Sequence, residues 1–154
     1  MPAPVIIIDT REPSPHPWVP WWPTGTAFEY GTLETGDFAV KGFEDGAVVE
    51  RKTATDFLGC IGDNRDRFEM ELRRSRRVGH FIVIVSASLH TVIREARIIH
   101  PAAIIGTVAA WTRRYCPIVF ADNDAHAAAL CLRWILQPLE EAAKVYRKTS
   151  GESP

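Results

Sequence analysis

Two carboxylates and a lysine occupy positions that suit the hydrolysis of a phosphodiester. Asp37 precedes a short apolar run, and Glu50 and Lys52 end the next apolar run of the chain. Phosphodiester hydrolysis requires a hydroxide nucleophile and compensation for the charge that develops on the phosphoryl oxygens. A hard divalent cation held by carboxylates meets both needs, because it acidifies bound water and neutralises that charge. A lysine beside the cation can orient the water, so these residue types point to metal-dependent nuclease chemistry.

A predicted β-hairpin positions these groups. Residues 38–41 and 47–52 are rich in β-forming residues and are separated by a turn that contains two glycines. Side chains alternate between the two faces of a strand, so Glu50 and Lys52 share one face while Arg51 lies on the other. The hairpin sets the two carboxylates side by side, which predicts a site for Mg²⁺ or Mn²⁺. Glu-x-Lys alone also fits a solvated strand end.

A second charged motif follows the first predicted strand. Residues 6–12 read Ile-Ile-Ile-Asp-Thr-Arg-Glu, and further along come Gly36-Asp37 and Glu50-Arg51-Lys52, then three residues and Asp56. This order of motifs closely resembles the signature of the XPF-type structure-specific endonuclease family, a branch of the restriction-endonuclease-like PD-(D/E)XK nucleases. The resemblance spans roughly residues 5–121. It implies an α/β fold in which a central mixed β-sheet carries helices on both faces.

The resemblance also implies roles for individual residues. It implies metal ligation by Asp37 and Glu50, with the backbone carbonyl of Arg51 as a third ligand and Asp9 as a further one. It implies that Lys52 acts on the catalytic water or on a phosphate. It implies supporting roles in catalysis for other residues of the motifs: Asp9, Arg11, Glu12, Arg51 and Asp56. The expected cofactor is therefore Mg²⁺ or Mn²⁺.

Helices and strands alternate through the rest of the chain. Further strands are predicted at residues 27–33, 80–85 and 117–121, and helices at residues 65–78, 88–98 and 101–115 and from residue 124 onwards. Thr53 and Asp56 match the capping box of another helix, so a structural role for Asp56 stands beside the catalytic one. Pro138 is expected to kink or restart the last helix.

Length and composition favour one soluble domain. The chain has 154 residues, of which 46% are hydrophobic and 24% are charged, as is typical of a globular protein. We interpret residues 1–154 as a single nuclease domain, with a core at 5–121, C-terminal helices at 122–149 and a tail at 150–154. Three cysteines without a CxxC pair indicate reduced thiols. No run fits a membrane span or a signal-peptide core, so a cytoplasmic, nucleoid-associated protein is expected.

The distribution of positive charge favours DNA as the partner, although the net charge does not. The formal net charge is −1, whereas most DNA-binding domains carry a basic excess. Arginines are concentrated in residues 65–77, however, and the local field decides where a phosphate binds. The resemblance implies a phosphate contact for Arg67. Four further arginines are candidates for sequence-independent backbone contacts: Arg73, Arg74, Arg76 and Arg77. A solvated helix face is the alternative.

Residues 13–23 form a segment rich in proline and tryptophan. Its alternating prolines exclude a helix and a central strand, so an extended loop is expected. The tryptophans could stack on unpaired bases at a DNA branch, with Trp18 as the candidate contact. Alternatively, they cover the sheet or an interface with a second subunit.

Two classes of function remain open. The first is a metal-dependent endonuclease that hydrolyses branched or structured DNA, such as forks, flaps or junctions, in repair or recombination. The second is a catalytically inactive DNA-binding or scaffold subunit, although the retained carboxylates and Lys52 favour the enzyme. A PD-(D/E)XK restriction or junction-resolving enzyme of another branch is a further alternative, which the motif at residues 9–12 disfavours.

The resemblance also implies partners. Relatives dimerise through the nuclease domain, so a homodimer or heterodimer is expected. An apolar surface for this contact could come from five residues that could equally be core: Ile98, Ile99, Ile104, Ile105 and Trp111. Many relatives carry helix-hairpin-helix modules as well. We expect such a module to be absent here or supplied by a partner, as in stand-alone bacterial or phage-borne forms.

Overall fold

One six-stranded β-sheet organises the chain. The computed structural model describes residues 3–151. The strands are β1 (Val5–Asp9), β2 (Ala27–Gly31), β3 (Phe38–Val40), β4 (Ala47–Lys52), β5 (His80–Val85) and β6 (Ile118–Phe120). Their order across the sheet is β2-β1-β3-β4-β5-β6. β3 is antiparallel to both of its neighbours, whereas the other neighbouring strands run parallel, so the sheet is mixed, as expected.

Helices cover both faces of this sheet. They are α1 (Ala54–Ile61), α2 (Arg65–Arg74), α3 (Leu89–Glu95), α4 (Pro101–Arg114) and α5 (Asp124–Ser150). One apolar core lies between the sheet and helices α1–α4. A second core lies on the opposite face, between the sheet, α5 and the proline- and tryptophan-rich segment. This arrangement confirms the predicted fold class.

Strand β5 is buried on both faces. Its residues from Phe81 to Val85 are all buried, and alternate side chains join the two cores. β4 and β6 flank it as parallel neighbours. A strand covered on both sides needs a continuous apolar run, which is why this element could be predicted from its composition.

Side-chain caps mark the starts of four helices, α1, α3, α4 and α5. The Thr53 hydroxyl accepts a hydrogen bond from the backbone N–H of Asp56, and the Asp56 carboxylate accepts one from the backbone N–H of Thr53. Ser88 and Asn123 cap α3 and α5 through their side-chain oxygens. The predicted capping box is therefore present, and it starts α1 directly after β4.

Two helices end earlier than predicted. α2 ends at Arg74, and the chain then tightens into a 3₁₀ turn at Ser75–Arg77, where the Ser75 hydroxyl donates to the Leu72 carbonyl. α3 ends at Glu95 because the backbone becomes extended at Ala96. Such local hydrogen bonds and backbone changes leave little trace in hydrophobic periodicity.

The C-terminal region is one continuous helix, so Pro138 does not divide it into the separate helices that were expected. α5 continues through Pro138 to Ser150. Ile135 before the proline and Leu139 after it both pack in the second core, and this packing holds the helix on either side. Residues 152–154 of the expected tail lie outside the described residues.

Although α5 has 27 residues, no helix within residues 3–151 has the length and apolarity that a membrane span requires.

The residues expected to form an apolar interface divide between core and surface. Ile104 and Trp111 are fully buried in the first core, and Ile99 packs at its margin. Ile98 and Ile105, by contrast, are exposed by 96% and 52%. The expected apolar surface is therefore reduced to two exposed isoleucines.

The three cysteines are buried free thiols: Cys60, Cys116 and Cys131. Burial raises the pKa of Cys60 to about 11 and that of Cys116 to about 12. A thiol that stays protonated is a poor nucleophile, so the structure offers no cysteine chemistry at these two positions.

Candidate active site

The two carboxylates lie side by side where β3 and β4 meet. Phe38 pairs with Val49 across the antiparallel strands, which sets the preceding Asp37 opposite Glu50. The backbone N–H of Asp37 donates to the Val49 carbonyl over 2.8 Å. One oxygen of the Asp37 carboxylate, Oδ2, accepts a hydrogen bond of 2.7 Å from the backbone N–H of Arg51. The predicted hairpin therefore brings the two acidic residues together.

Gly36 allows this close approach. Its φ of +76° lies in the left-handed region that side chains disfavour. A Cβ at this position would lie 2.2 Å from Cγ1 of Val48. Only glycine therefore lets the loop pass over β4 at this point and deliver Asp37 beside the strand.

Glu50 and Lys52 share one face of β4, as the strand alternation predicts. Lys52 Nζ lies 2.7 Å from Glu50 Oε1, and it also lies 5.0 Å from the centroid of the Phe68 ring. Burial by itself lowers the pKa of Lys52, but the charge and hydrogen bond of Glu50 outweigh it and raise that pKa above its ordinary value. The amine is therefore a firmly held cation beside the carboxylates.

The carboxylates of this site are electrostatically under-compensated. Burial raises the pKa of Asp37, and the negative charges of Glu50 and then Glu12 raise it further. Burial also raises the pKa of Glu50, although Lys52 opposes this effect. Two buried carboxylates that repel each other favour either a proton or an added cation between them.

Asp9 differs from this pair. Its side chain is fully buried. Oδ1 accepts hydrogen bonds from the backbone N–H and the Nε of Arg11, and Oδ2 accepts one from the Leu33 N–H over 2.8 Å. Burial acts to raise the pKa of Asp9, but these hydrogen bonds prevail and lower it. Metal ligation by Asp9 stays a prediction, and in the structure both of its oxygens accept hydrogen bonds from the protein.

Asp9 and Arg11 organise the loop that carries Asp37. The backbone N–H of Asp9 donates to the Asp37 carbonyl over 2.9 Å. Arg11 Nη2 donates to the carbonyls of Leu33 and Gly36 at 3.3 and 3.5 Å. The Arg11 side chain also borders the cleft above the carboxylates, so it lies at the site that the sequence assigned to it.

Glu12 and the Arg51 side chain lie on the opposite face of the sheet. Glu12 Oε2 is 3.1 Å from Arg51 Nη1 and 2.7 Å from Nε2 of His16. The Arg51 guanidinium also lies 5.6 Å from the centroid of the Trp18 ring. These residues were expected at the site, and the structure sets their side chains beneath it.

A cleft of about 180 Å³ opens above Asp37 and Glu50. Its other charged lining includes Lys52, Arg67 and Arg74. A neighbouring depression of about 370 Å³ is bordered by Lys52, Arg67 and Asp56. Asp56 therefore serves as a helix cap and also lines the surface beside the carboxylates.

Glu71 is a cleft residue to which the sequence argument gave no role at the site. It lines both depressions, lies 3.6 Å from the exposed Arg67 and contributes to raising the pKa of Glu50. The spacing of Arg67, Glu71 and Arg74 at consecutive helical turns was the available signal. The fold turns this face of α2 towards the cleft, where Arg67, Glu71 and Arg74 all line it.

The predicted DNA-binding arginines separate onto two sides of α2. Arg67 and Arg74 line the cleft. Tyr115 raises the pKa of Arg73. Arg76 donates to the Arg114 carbonyl over 3.2 Å, and its guanidinium lies 5.6 Å from the Tyr115 ring. Arg77 is exposed on the 3₁₀ turn. The arginine cluster is thus two surfaces and not one.

Trp18 does not reach the surface, which corrects its predicted contact with DNA. Its side chain is fully buried, stacks on Phe38 at 5.1 Å between ring centroids and donates through Nε1 to Asp124 over 2.8 Å. Trp22 is also buried, whereas Trp21 is 59% exposed. The segment contains a 3₁₀ turn at Val19–Trp21 and covers the sheet, as the alternative interpretation held.

The donor set of the cleft fits a hard divalent cation. Within residues 3–151, no three His, Cys, Asp or Glu side chains converge as a metal-binding cluster. The cleft instead offers the carboxylates of Asp37 and Glu50. Mg²⁺ is commonly held by one or two carboxylates, with water and substrate phosphate completing its octahedron.

Comparison with known proteins assigns the chain to a family. Residues 8–133 match the family model of the ERCC4 domain, so the chain belongs to this family, and the resemblance deduced from the motifs is confirmed. The fold is similar to XPF from Aeropyrum pernix in complex with DNA, with 20% sequence identity and a TM-score of 0.72 over 90% of this chain and 66% of that chain. A second structure of that XPF has the same identity and TM-score, over 94% of this chain and 69% of that chain. No curated protein sequence matches the chain.

Proposed function

We propose that this chain is a divalent-metal-dependent endonuclease of the XPF type that hydrolyses phosphodiesters in branched or structured DNA during repair or recombination. The observation that carries the proposal is the pairing of Asp37 with Glu50 beside Lys52, at the base of a cleft lined by arginines. Membership of the ERCC4 domain family supports the same activity.

Asp37 and Glu50 would hold Mg²⁺ or Mn²⁺, with the backbone carbonyl of Arg51 as a further ligand. When bound, the cation supplies an acidified water and neutralises charge on the phosphoryl group. Lys52 is held beside Glu50 and can donate a hydrogen bond to a phosphate oxygen or to the attacking water. The chain thus contributes the orientation of the reacting groups.

Arg67 and Arg74 would contact the backbone of the strand that enters the cleft. Arg67 is 81% exposed, so its guanidinium is free to exchange its long contact with Glu71 for a phosphate. Arg73, Arg76 and Arg77 would contact DNA outside the cleft. A helix that presents arginines in two directions suits a branched substrate, because two arms leave the branch point along different paths.

DNA is the proposed partner, and a homodimer or heterodimer through the nuclease domain is the proposed assembly. The similar XPF structure was solved with DNA. Ile98 and Ile105 are the exposed apolar residues that support a subunit contact.

A substrate panel tests the proposed function. Labelled fork, flap, four-way junction, single strand and plain duplex are incubated with Mg²⁺, with Mn²⁺ or with EDTA. We expect metal-dependent cleavage of at least one branched substrate in preference to the plain duplex. Binding of branched DNA without cleavage in either metal would instead identify an inactive DNA-binding subunit. The observation that favours this second function is the ion pair in the cleft, in which Lys52 already binds a carboxylate oxygen of Glu50.

A further inference from the structure

We propose that His16 is a positioning residue of the cleft and acts from the opposite face of the sheet through Glu12 and Arg51. This inference rests on the proposed nuclease function for its kinetic effect. His16 is fully buried in a segment that no other part of the proposed mechanism uses. Its ring packs edge-on against Phe38 at 5.0 Å and against Trp18 at 5.6 Å between ring centroids.

The hydrogen bonds of His16 define one tautomer of its ring. The backbone N–H of Trp18 donates to Nδ1 of His16 over 3.1 Å, so Nδ1 is an acceptor. Nε2 therefore carries the hydrogen and donates it to Glu12 Oε2, which lies 2.7 Å away. Nδ1 therefore binds the loop through Trp18, and Nε2 binds Glu12.

Glu12 links His16 to Arg51. The same Glu12 oxygen accepts the hydrogen bond of Arg51 Nη1, and both side chains are largely buried. Arg51 Nε is buried without a hydrogen-bond partner among the described residues. The guanidinium therefore depends on Glu12 for its position, and Glu12 is held in place by His16.

Arg51 in turn aligns the groups of the cleft. It lies between Glu50 and Lys52 on β4, so anchoring its side chain below the sheet orients these two neighbours above it. Its backbone N–H also holds the carboxylate of Asp37. A shift of Arg51 would therefore disturb all three groups that the proposed chemistry needs, and misplacements of this kind are costly in catalysis.

A second contact from the same segment reinforces this path. Trp18, whose N–H is bound by His16, stacks on Phe38 with an interplanar angle of 13°. Phe38 directly follows Asp37 in the chain. The proline- and tryptophan-rich segment thus supports both strand ends from beneath, one through Phe38 and one through Arg51.

Two substitutions distinguish a positioning role of His16 towards Glu12 from a role in shaping its own loop. In His16→Asn the side-chain oxygen stands as many bonds from Cα as Nδ1, so it can still accept the Trp18 N–H while the donor to Glu12 is lost. In His16→Gln the amide nitrogen stands as many bonds from Cα as Nε2, so the donor to Glu12 remains while the acceptor for the loop is lost. Tyr30→Phe is the matched control, because it removes a hydrogen bond between Tyr30 and the segment at Pro13 without touching Glu12.

We expect H16N to lower kcat by roughly 10- to 100-fold and to weaken Mn²⁺ binding to the DNA-free protein, as loss of a group that supports a ligand does elsewhere. H16Q should stay within about threefold of wild type in both measurements, and Y30F should match wild type. H16N combined with Glu12→Gln should cost no more than the larger single effect. Mn²⁺ binding is measured by electron paramagnetic resonance, and DNA affinity should not change.

Equal losses in H16N and H16Q, or a greater loss in H16Q, would overturn the inference and show that His16 only shapes the loop. If wild type cuts no DNA, the proposed function fails, while the order of Mn²⁺ affinities still decides the role of His16. Should H16N not fold, ¹⁵N shifts of the wild-type imidazole decide instead. The tautomer with hydrogen on Nε2 supports the inference, and any other state of the ring overturns it.

Discussion

The two faces of the sheet carry similar charged residues at the same edge but hold them differently. On the cleft face, Asp37 and Glu50 are two acidic groups beside one amine, and burial raises the pKa of each. On the opposite face, the single carboxylate of Glu12 is bound by both His16 and Arg51. The cleft cluster therefore has negative charge that is not fully compensated, whereas the carboxylate of Glu12 is bound by donors of the protein.

This difference shows where a ligand can act. Buried charge that is fully paired stabilises one geometry and has no capacity left for a ligand. Charge that is only partly compensated can be completed by a cation or a phosphate, at a cost in stability while the ligand is absent. The cleft face therefore suits chemistry, and the opposite face suits support.

The largest expected effect concerns cleavage. Asp37→Asn or Glu50→Gln should reduce cleavage of the preferred branched DNA by roughly 10³-fold or more, because the cation loses a charged ligand. DNA binding should survive and could strengthen as repulsion is removed. Asp45→Asn is the matched control, since it removes an exposed carboxylate from the turn between the same two strands. Full activity in either cleft variant would refute the assignment.

A second prediction compares the stability of the two faces. Arg51→Met leaves Glu12 buried with its positive partner removed, and it should lower the free energy of unfolding by about 3–5 kcal/mol. Glu71→Gln removes an exposed pair with Arg67 on the cleft face and should cost less than about 1 kcal/mol. Urea denaturation with EDTA measures both variants. Equal costs would mean that the two faces do not differ in charge compensation.

A third prediction separates the two arginine surfaces of α2. Arg67→Ala combined with Arg74→Ala should weaken DNA binding and reduce the slope of log affinity against log salt by roughly two. It should also lower cleavage, because these side chains line the cleft. Arg73→Ala combined with Arg76→Ala should reduce the salt slope with less effect on kcat. Identical kinetic effects of the two pairs would argue against separate surfaces, and an unchanged slope in both would argue against a DNA-facing helix.

The smallest expected effect is a pH dependence of stability in the metal-free protein. The raised pKa values of Asp37 and Glu50 mean that the folded state retains protons which the unfolded state has already released. The free energy of unfolding should therefore decrease as pH rises from the ordinary carboxyl range through the raised pKa values. Glu50→Gln should flatten this decrease, because one of the two carboxylates with a raised pKa is removed. The check is urea denaturation between pH 5 and pH 8 in EDTA, with D45N as control; parallel profiles for E50Q and wild type would contradict it.

Much of the fold followed from local patterns. Alternation along residues 47–52 placed Glu50 and Lys52 on one face and Arg51 on the other, and the glycine-containing turn implied the pairing that sets Asp37 beside Glu50. The apolar run of β5 and the capping box of α1 were also readable, because each depends on neighbours within a few residues. The motif order was sufficient to recognise the family.

Several features of the site could not be read in this way. Trp18 was expected at the DNA surface, yet it is buried against Phe38. Pro138 was expected to kink or restart the last helix, and the helix continues through it to Ser150. In each case a contact made by folding outweighed the local preference of the residue.

The order of residues along the chain settled which side chains share a strand face, where helices start and which charged motifs occur together, since spacing of a few residues controls all three. Folding alone decided that residues 13–23 return beneath the sheet, that His16 reaches Glu12, and that one side of α2 faces the cleft. The physical reason is that burial and hydrogen-bond pairing depend on surfaces brought together from distant parts of the chain. Whether a carboxylate is compensated or left to a ligand is therefore a property of the packed sheet.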